Sequence, residues 1–328
     1  MKIAFVGKGG SGKTTLSALF TLYMSKRSPV LAIDGDLNMH LAPLLGLSNP
    51  SSPEKHISHP AAVETIKTYL RGQNSRIKEL IHFRKTTPPT AESNFIHIED
   101  PENPILNKFG ISRDSLSLLV VGSYEAEEIG AGCYHNNLAI LENVLSHTVD
   151  TKSVVVADMV AGVDAFANTL HAQFDMLVLA VEPTRRGVEV FNQYKKLAEE
   201  AGVDGLFFVI GNKIRSEGDE KFLRENIPAS HLLGLVKESD YLRAKDQEGG
   251  ALDINQLEKE QLQLLGLIEE KLFSKRPDYQ TRLHKLFDLH RKYVDQASIK
   301  ERFGDLTNQI DPDFNLEVFM ADHEKNSE

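Results

Sequence analysis

The run Gly7-Lys8-Gly9-Gly10-Ser11-Gly12-Lys13-Thr14-Thr15 constrains this chain more than any other feature of it. It follows the apolar residues 3–6 and precedes a helix-like run over residues 16–26. Four free positions between Gly7 and Gly12, then Lys13 and Thr14, make the phosphate-binding loop pattern. Glycines let successive backbone N–H groups curl around phosphate oxygens with no Cβ in the way. The helix that follows turns its positive N-terminal end toward the same anion. Lys13 reaches the terminal phosphates, Thr14 offers a hydroxyl to Mg²⁺, and all nine residues are expected to cradle the nucleotide.

Downstream, short apolar runs at residues 30–34, 116–122, 153–158, 176–182, 206–212 and 232–236 alternate with amphipathic helical patterns at 137–147, 187–201 and 217–226. Continuous apolar strands between helices predict a doubly wound, mostly parallel α/β sheet covered on both faces. Ligands of such sheets bind beyond the carboxyl ends of the strands. Acids stand at those ends. Asp34-Gly35-Asp36 closes the second strand and Asp158 closes the run Val154-Val155-Val156-Ala157. Asp158 is expected to hold Mg²⁺ directly or through water, and Asp36 to contact Mg²⁺ and orient or deprotonate an attacking water. Gly162 could lend its N–H to the γ-phosphate and so sense hydrolysis. In Gly211-Asn212-Lys213-Ile214-Arg215, Arg215 offers no acceptor for guanine, whereas the Asn212 amide suits adenine's mixed edge. ATP is the expected nucleotide.

Two segments interrupt the alternation. Residues 48–115 are rich in Pro and Ser, are predicted to contain a helix over 61–83, and are expected to cover one side of the sheet. From about residue 249 the pattern changes to helices over 252–273 and 279–294, with Leu257, Leu262, Leu264, Leu265, Ile268 and Leu272 forming an apolar stripe. The expected division is an ATPase domain over 1–248 and a helical extension over 249–328, disordered from Ala321. A formal net charge of −10 argues against a broad nucleic-acid or anionic-membrane surface. Cys133 is the lone cysteine, so no internal disulfide forms and a cytoplasmic setting is expected.

With its second lysine at position 8, the loop resembles the deviant phosphate loop of the ParA/MinD/nitrogenase-iron-protein ATPases. That resemblance implies a homodimer closing over two ATP molecules, with Lys8 crossing to the partner's nucleotide. A lysine supplied in trans adds positive charge where negative charge develops on the leaving phosphate. Residues 30–36, 130–135, 157–162 and 181–185 are further similar to the CooC family, ATPases that help insert nickel into carbon monoxide dehydrogenase. The resemblance covers roughly residues 1–248. It implies catalytic roles for Lys8, Lys13 and Asp36, switch roles for Asp36 and Asp158, an adenine contact at Asn212, and a metalloenzyme client.

The chain departs from the CooC pattern at several positions. Cys133-Tyr134-His135 replaces Cys-x-Cys, Leu37 and His40 replace a proline and an asparagine, and Val160, Asp164 and Ala165 replace switch residues. Two readings of Cys133 and His135 stay open. They are half of a Zn²⁺ or Ni²⁺ site completed across the dimer axis, or a packed cysteine beside a surface histidine. Two functional alternatives also stay open: a ParA/MinD-like positioning ATPase, and a carboxylate-activating enzyme of the dethiobiotin-synthetase type.

Overall fold

The computed structural model describes residues 1–122, 138–162, 164–166 and 169–326. Ten strands and thirteen helices alternate among these residues. The first half runs β1 (Lys2–Gly7), α1 (Lys13–Ser25), β2 (Val30–Gly35), α2 (Leu41–Leu44), α3 (Pro60–Arg71), β3 (Ile96–His97), α4 (Pro104–Phe109), β4 (Ile111–Arg113) and β5 (Leu116–Val120). Then follow α5 (Leu138–Ser146), β6 (Thr148–Val149), β7 (Val154–Met159), α6 (Leu170–Gln173), β8 (Met176–Val181), α7 (Arg185–Glu200), β9 (Phe207–Ile214), α8 (Glu217–Asn226) and β10 (Leu232–Lys237). The last five helices are α9 (Asp240–Glu248), α10 (Lys259–Phe273), α11 (Tyr279–Val294), α12 (Ala297–Phe303) and α13 (Leu316–Asn326).

The main sheet has the order β10-β9-β8-β1-β7-β2-β5-β4. Every pairing in it is parallel except the last, in which β4 runs against β5. The expected mostly parallel, doubly wound sheet is therefore present, and the antiparallel edge strand is an addition that the sequence did not signal. Burial explains the unbroken apolar runs. On β1, Ala4 and Val6 enter the core on one face while Ile3 and Phe5 enter the core on the other. Side chains alternate across the pleat, so a strand covered on both sides must be apolar at every position. Parallel strands also align their carboxyl ends. The loops after β1, β2, β7, β8 and β9 thus open on one edge of the molecule, and that edge holds the site.

Several helix boundaries differ from expectation. The helix predicted over 61–83 stops at Arg71, where Gly72 takes φ 55° and turns the chain; a short 3-10 turn, Leu80–His82, follows separately. The helix predicted from residue 252 begins only at Lys259, after the 3-10 turn Ile254–Gln256. In the predicted stripe Leu264, Leu265, Ile268 and Leu272 are buried against the sheet, but Leu262 faces outward at 38% exposure. The tail from Ala321 does not lose structure there, because α13 continues to Asn326.

The C-terminal helices attach to the rest at three places. On one face α10 packs beside α1, and Tyr23 donates its hydroxyl to Glu269 at 2.8 Å. At the edge where β1 begins, Arg282 of α11 binds Asp175 at 2.6 Å and Asp150 at 3.5 Å, and Lys2 lies 3.6 Å from the same Asp150. The third attachment locks residues 76–87 to the end of the chain. Thr86 and Nδ1 of His290 lie 2.9 Å apart, Nε2 of His290 donates to the Leu306 carbonyl at 3.2 Å, and Gln309 bridges Thr87 and the His82 carbonyl.

Burial holds both His290 and His147 well below the ordinary histidine range, each at about 4. His147 sits between the Phe83 and Phe95 rings. A base whose folded pKa is depressed contributes stability above its unfolded pKa, 6.5 here, and loses it as pH falls toward 4. Each histidine is therefore expected to cost up to about 3 kcal/mol on acidification across that window. Urea denaturation at pH 7 and pH 4.5 should show this loss, and His290→Gln should remove a large part of it. An unchanged pH dependence in that variant would mean that His290 is not held neutral by the fold.

Candidate nucleotide site

At the end of β1 the chain enters the glycine-rich loop and then α1 without a side-chain cap. Gly12 occupies the N-cap position at φ 87°, and no acid lies in the first turn. The N-terminal amides of a 13-residue helix thus point into the loop with no competing carboxylate. Gly12 is required twice over, by its left-handed backbone and because a Cβ there would lie 2.1 Å from the Asn212 amide nitrogen. At Gly9 and Gly10 nothing stands within 4 Å of where a Cβ would sit. That side of the loop is open for an incoming ligand.

Lys13 gathers the site. Its ammonium lies 2.8 Å from Asp158 Oδ1, 3.2 Å from Asp36 Oδ2 and 3.4 Å from the Thr14 hydroxyl. These residues come from the ends of three adjacent strands, β1, β7 and β2. Burial alone would lower the Lys13 pKa, but the charges of Asp158 and Asp36, and their hydrogen bonds, hold it above the ordinary lysine value. Asp36 is held low against the effect of burial by the Asn38 backbone N–H and the Lys13 charge.

Asp34, two residues before Asp36, has a separate task. It is fully buried and accepts the backbone N–H groups of Asp36 at 3.1 Å and Leu41 at 3.0 Å, which shapes the loop carrying Asp36. Burial, reinforced by the charge of Asp158, pushes Asp34 up to about 7.

A second group of side chains fastens the loop from β9. Asn212 donates one amide N–H to the Ser11 carbonyl at 2.8 Å. Lys213, at φ 59°, donates to the Gly10 carbonyl at 2.6 Å and pairs with Glu182 at 2.9 Å. Beside them lies a cavity of about 180 Å³ between Gly12, Thr15, Asn212, Glu238 and Leu242. Glu238, after β10, has both oxygens engaged by the Arg215 guanidinium at 2.7 and 2.9 Å.

The remaining expected residues are placed as follows. Gly162 stands at φ 119°, and its carbonyl accepts the Tyr194 hydroxyl, which ties the segment after β7 to α7. Lys8 is exposed and forms no ion pair among the described residues. It lines a cavity of about 400 Å³ together with Arg185 and Arg186 of α7. Two arginines at a helix N-terminus oppose the helix dipole, so folding alone gives little reason for them. Cys133 and His135 lie outside the described residues. Sequence reasoning missed Asp34, Lys213, Glu182 and Tyr194 as site-shaping groups. Asp34, Glu182 and Lys213 lay in or beside segments already singled out, whereas Tyr194, in the middle of the helical pattern over 187–201, carried no signal.

The site fits a nucleotide with a magnesium ion. Among the described residues, Ser11 Oγ and Asp158 Oδ2 are buried with no hydrogen-bond partner, the kind of orphaned polar atom that a ligand satisfies. No group of three or more His, Cys, Asp or Glu among the described residues could hold a metal alone. Mg²⁺ asks for no such cage, since it is bound through one or two carboxylates plus phosphates and water.

Asn212→Ala removes one buried neutral hydrogen bond from the loop, worth about 1 kcal/mol. The ATP Kd should rise about fivefold in a fluorescent-nucleotide titration. Lys213→Ala, whose bonds are partly solvent-screened, should give a similar or smaller rise. Wild-type affinity in both variants would show that the loop holds its shape without β9.

Residues 3–252 match the family described as the CobQ/CobB/MinD/ParA nucleotide binding domain. An ATP-binding protein of uncharacterized role from Methanocaldococcus jannaschii is 29% identical over 229 residues, covering 69% of this chain and 80% of the relative. The carbon monoxide dehydrogenase accessory protein CooC of Rhodospirillum rubrum is 28% identical over 251 residues, 76% of this chain and 88% of CooC. Among solved structures, the Pyrococcus furiosus cell division ATPase MinD superposes with a TM-score of 0.53 at 20% identity, over 82% of this chain and 98% of MinD. A ParA family ATPase from Chlorobium tepidum gives 0.54 at 17% identity, over 83% and 98%. At those identities the structures speak to the fold alone. The chain belongs to the CobQ/CobB/MinD/ParA nucleotide-binding-domain family and is an ATP-binding P-loop ATPase.

Proposed function

We propose that this protein is an ATP-driven dimeric switch of the CooC kind, which passes a conformational change to a metalloenzyme client in the cytoplasm. The observation that carries the switch is the double ion pair of Lys13 with Asp36 and Asp158. A terminal phosphate reaching Lys13 competes with both carboxylates. Binding therefore frees two strand-end segments at once, those following β2 and β7. The freed carboxylates, with the Thr14 hydroxyl, are the groups that would hold Mg²⁺. Mg²⁺ supplies charge neutralisation on the phosphates. Asp36 is the more accessible of the two acids, which suits it to orient the attacking water. Gly162, on the segment after β7, reports the state of the site to α7 through Tyr194.

Lys8 is exposed and has no ion pair among the described residues, which supports the dimer by leaving this cation available to a partner's phosphate. The 28% identity to CooC supports the client class. On this reading residues 1–248 are the ATPase domain and residues 249–328 a helical extension braced on it.

Lys13→Ala should abolish ATP binding. Asp36→Asn should bind ATP, lose at least about a hundredfold in hydrolysis, a typical size for loss of a proton-transfer group, and remain dimeric. Lys8→Ala should bind ATP as a monomer, with dimerisation and hydrolysis falling together in sedimentation velocity and phosphate-release assays. The client follows from affinity purification with ATP-trapped Asp36→Asn against Lys13→Ala. Enrichment of a metalloenzyme only with the trapped variant is the expected result. Recovery of nucleoid or septal components instead would replace the maturation role by positioning.

A further inference from the structure

At the edge of the sheet opposite the nucleotide site, a cavity of about 240 Å³ opens between the start of β8 and the turn joining α10 to α11. Phe174, Leu206, Phe208 and Leu272 supply apolar walls. Five cationic side chains line it, Lys271, Lys275, Arg276, Lys285 and Arg282, the last already paired with Asp175 and Asp150, against two acids, Asp175 and Asp278. This excess of positive charge stands in a chain whose formal net charge is −10.

Asp175 is paired, whereas Asp278 is exposed and keeps its charge. Asp175 receives the Lys2 backbone N–H at 2.8 Å and the Arg282 guanidinium at 2.6 Å. Asp278 caps α11 by accepting the Thr281 N–H at 2.8 Å. Lys275, Arg276 and Lys285 have no ion pair among the described residues, and Lys271 rests over the Phe208 ring at 4.7 Å. Like charges gathered around an apolar hollow repel one another, and an anion seated there relieves the repulsion. The hollow is smaller than the roughly 300–1,000 Å³ of drug-sized sites. Apolar walls with a cationic rim match a small molecule that has one anionic end and a hydrophobic body.

We propose that this cavity is a second ligand site, separate from the nucleotide site, that binds a small organic carboxylate with an apolar body. Its place also makes it consequential. The cavity touches Met1 and Arg282, and Arg282 joins α11 to the buried acids where β1 begins. An occupant would press on the junction between the C-terminal helices and the strand that leads into the phosphate loop. The proposal does not depend on the dimer or on the client.

The test uses the full chain and ligand-observed saturation-transfer NMR with benzoate and hexanoate, and with benzamide and hexanamide as neutral isosteres. None of these probes carries a phosphate. The carboxylates should bind wild type at millimolar concentration, and the amides should bind at least about tenfold more weakly. Lys13→Ala, which disables the nucleotide site, should leave carboxylate binding unchanged. The double variant Lys275→Glu/Arg276→Glu should lose it by at least about tenfold. Its substitutions lie on the surface, and the milder Lys275→Gln/Arg276→Gln pair, checked for an unchanged Tm, covers a failure to fold. Loss of binding in Lys13→Ala, equal binding of amides and carboxylates, full binding by both double variants, or no binding of either carboxylate would each overturn the proposal.

Discussion

The site depends on a lysine held between two carboxylates. Lys13 is buried, and a buried ammonium without compensation would shed its proton or unfold its surroundings. Asp158 and Asp36 keep it charged, and they do so from strands that reach it only because β1, β7 and β2 are neighbours in that order. The parallel sheet therefore has a specific electrostatic consequence. It aligns the carboxyl ends of three strands so that one cation and two acids meet at hydrogen-bond distance. On the proposed reading a phosphate breaks the same contact, so the groups that stabilise the ligand-free site would also be those that respond to the ligand.

Around this contact the loop is shaped from both sides. From β2, buried Asp34 spends its carboxylate on two backbone N–H groups and so sets the path of the segment carrying Asp36. From β9, Asn212 and Lys213 take the Ser11 and Gly10 carbonyls. Those carbonyls would otherwise be free to turn toward the phosphates, where their negative ends would oppose binding. Bound to these side-chain donors, both carbonyls are engaged away from that role.

The C-terminal helices are more than an appendage. α10 completes the core on the α1 face, α11 neutralises Asp150 and Asp175 where β1 begins, and the residues after α12 pin the 76–87 segment. Buried ion pairs of this kind contribute little net stability but are costly to break singly. They hold the helices in one register against the ATPase fold, and they couple the far edge of the sheet to the strand that ends in the phosphate loop.

Much of this was legible in the residues themselves. The phosphate loop is a local pattern, in which glycine spacing and the Lys13-Thr14 pair express backbone freedom and ligand chemistry within nine positions. Unbroken apolar strands expressed burial on both faces, so the parallel sheet followed, and the strand-end acids followed from the sheet. Helix ends were read less well. The stop at Arg71 depends on one left-handed glycine inside a run whose periodicity continues, and the late start at Lys259 follows a segment tied by Leu252 to the Leu44 carbonyl and by Asn255 to Lys26 beyond α1. Only the tertiary structure decided who meets whom. Lys13 and Asp158 are 145 positions apart, and Asn212 and Ser11 are 201 apart. No pattern in either neighbourhood encodes the other. Whether an aspartate meets the loop lysine, as Asp36 does, or binds backbone N–H groups alone, as Asp34 does, turns on which groups lie within hydrogen-bond distance. That is settled by packing, because hydrogen bonds and ion pairs act through space and a sequence records only order along the chain.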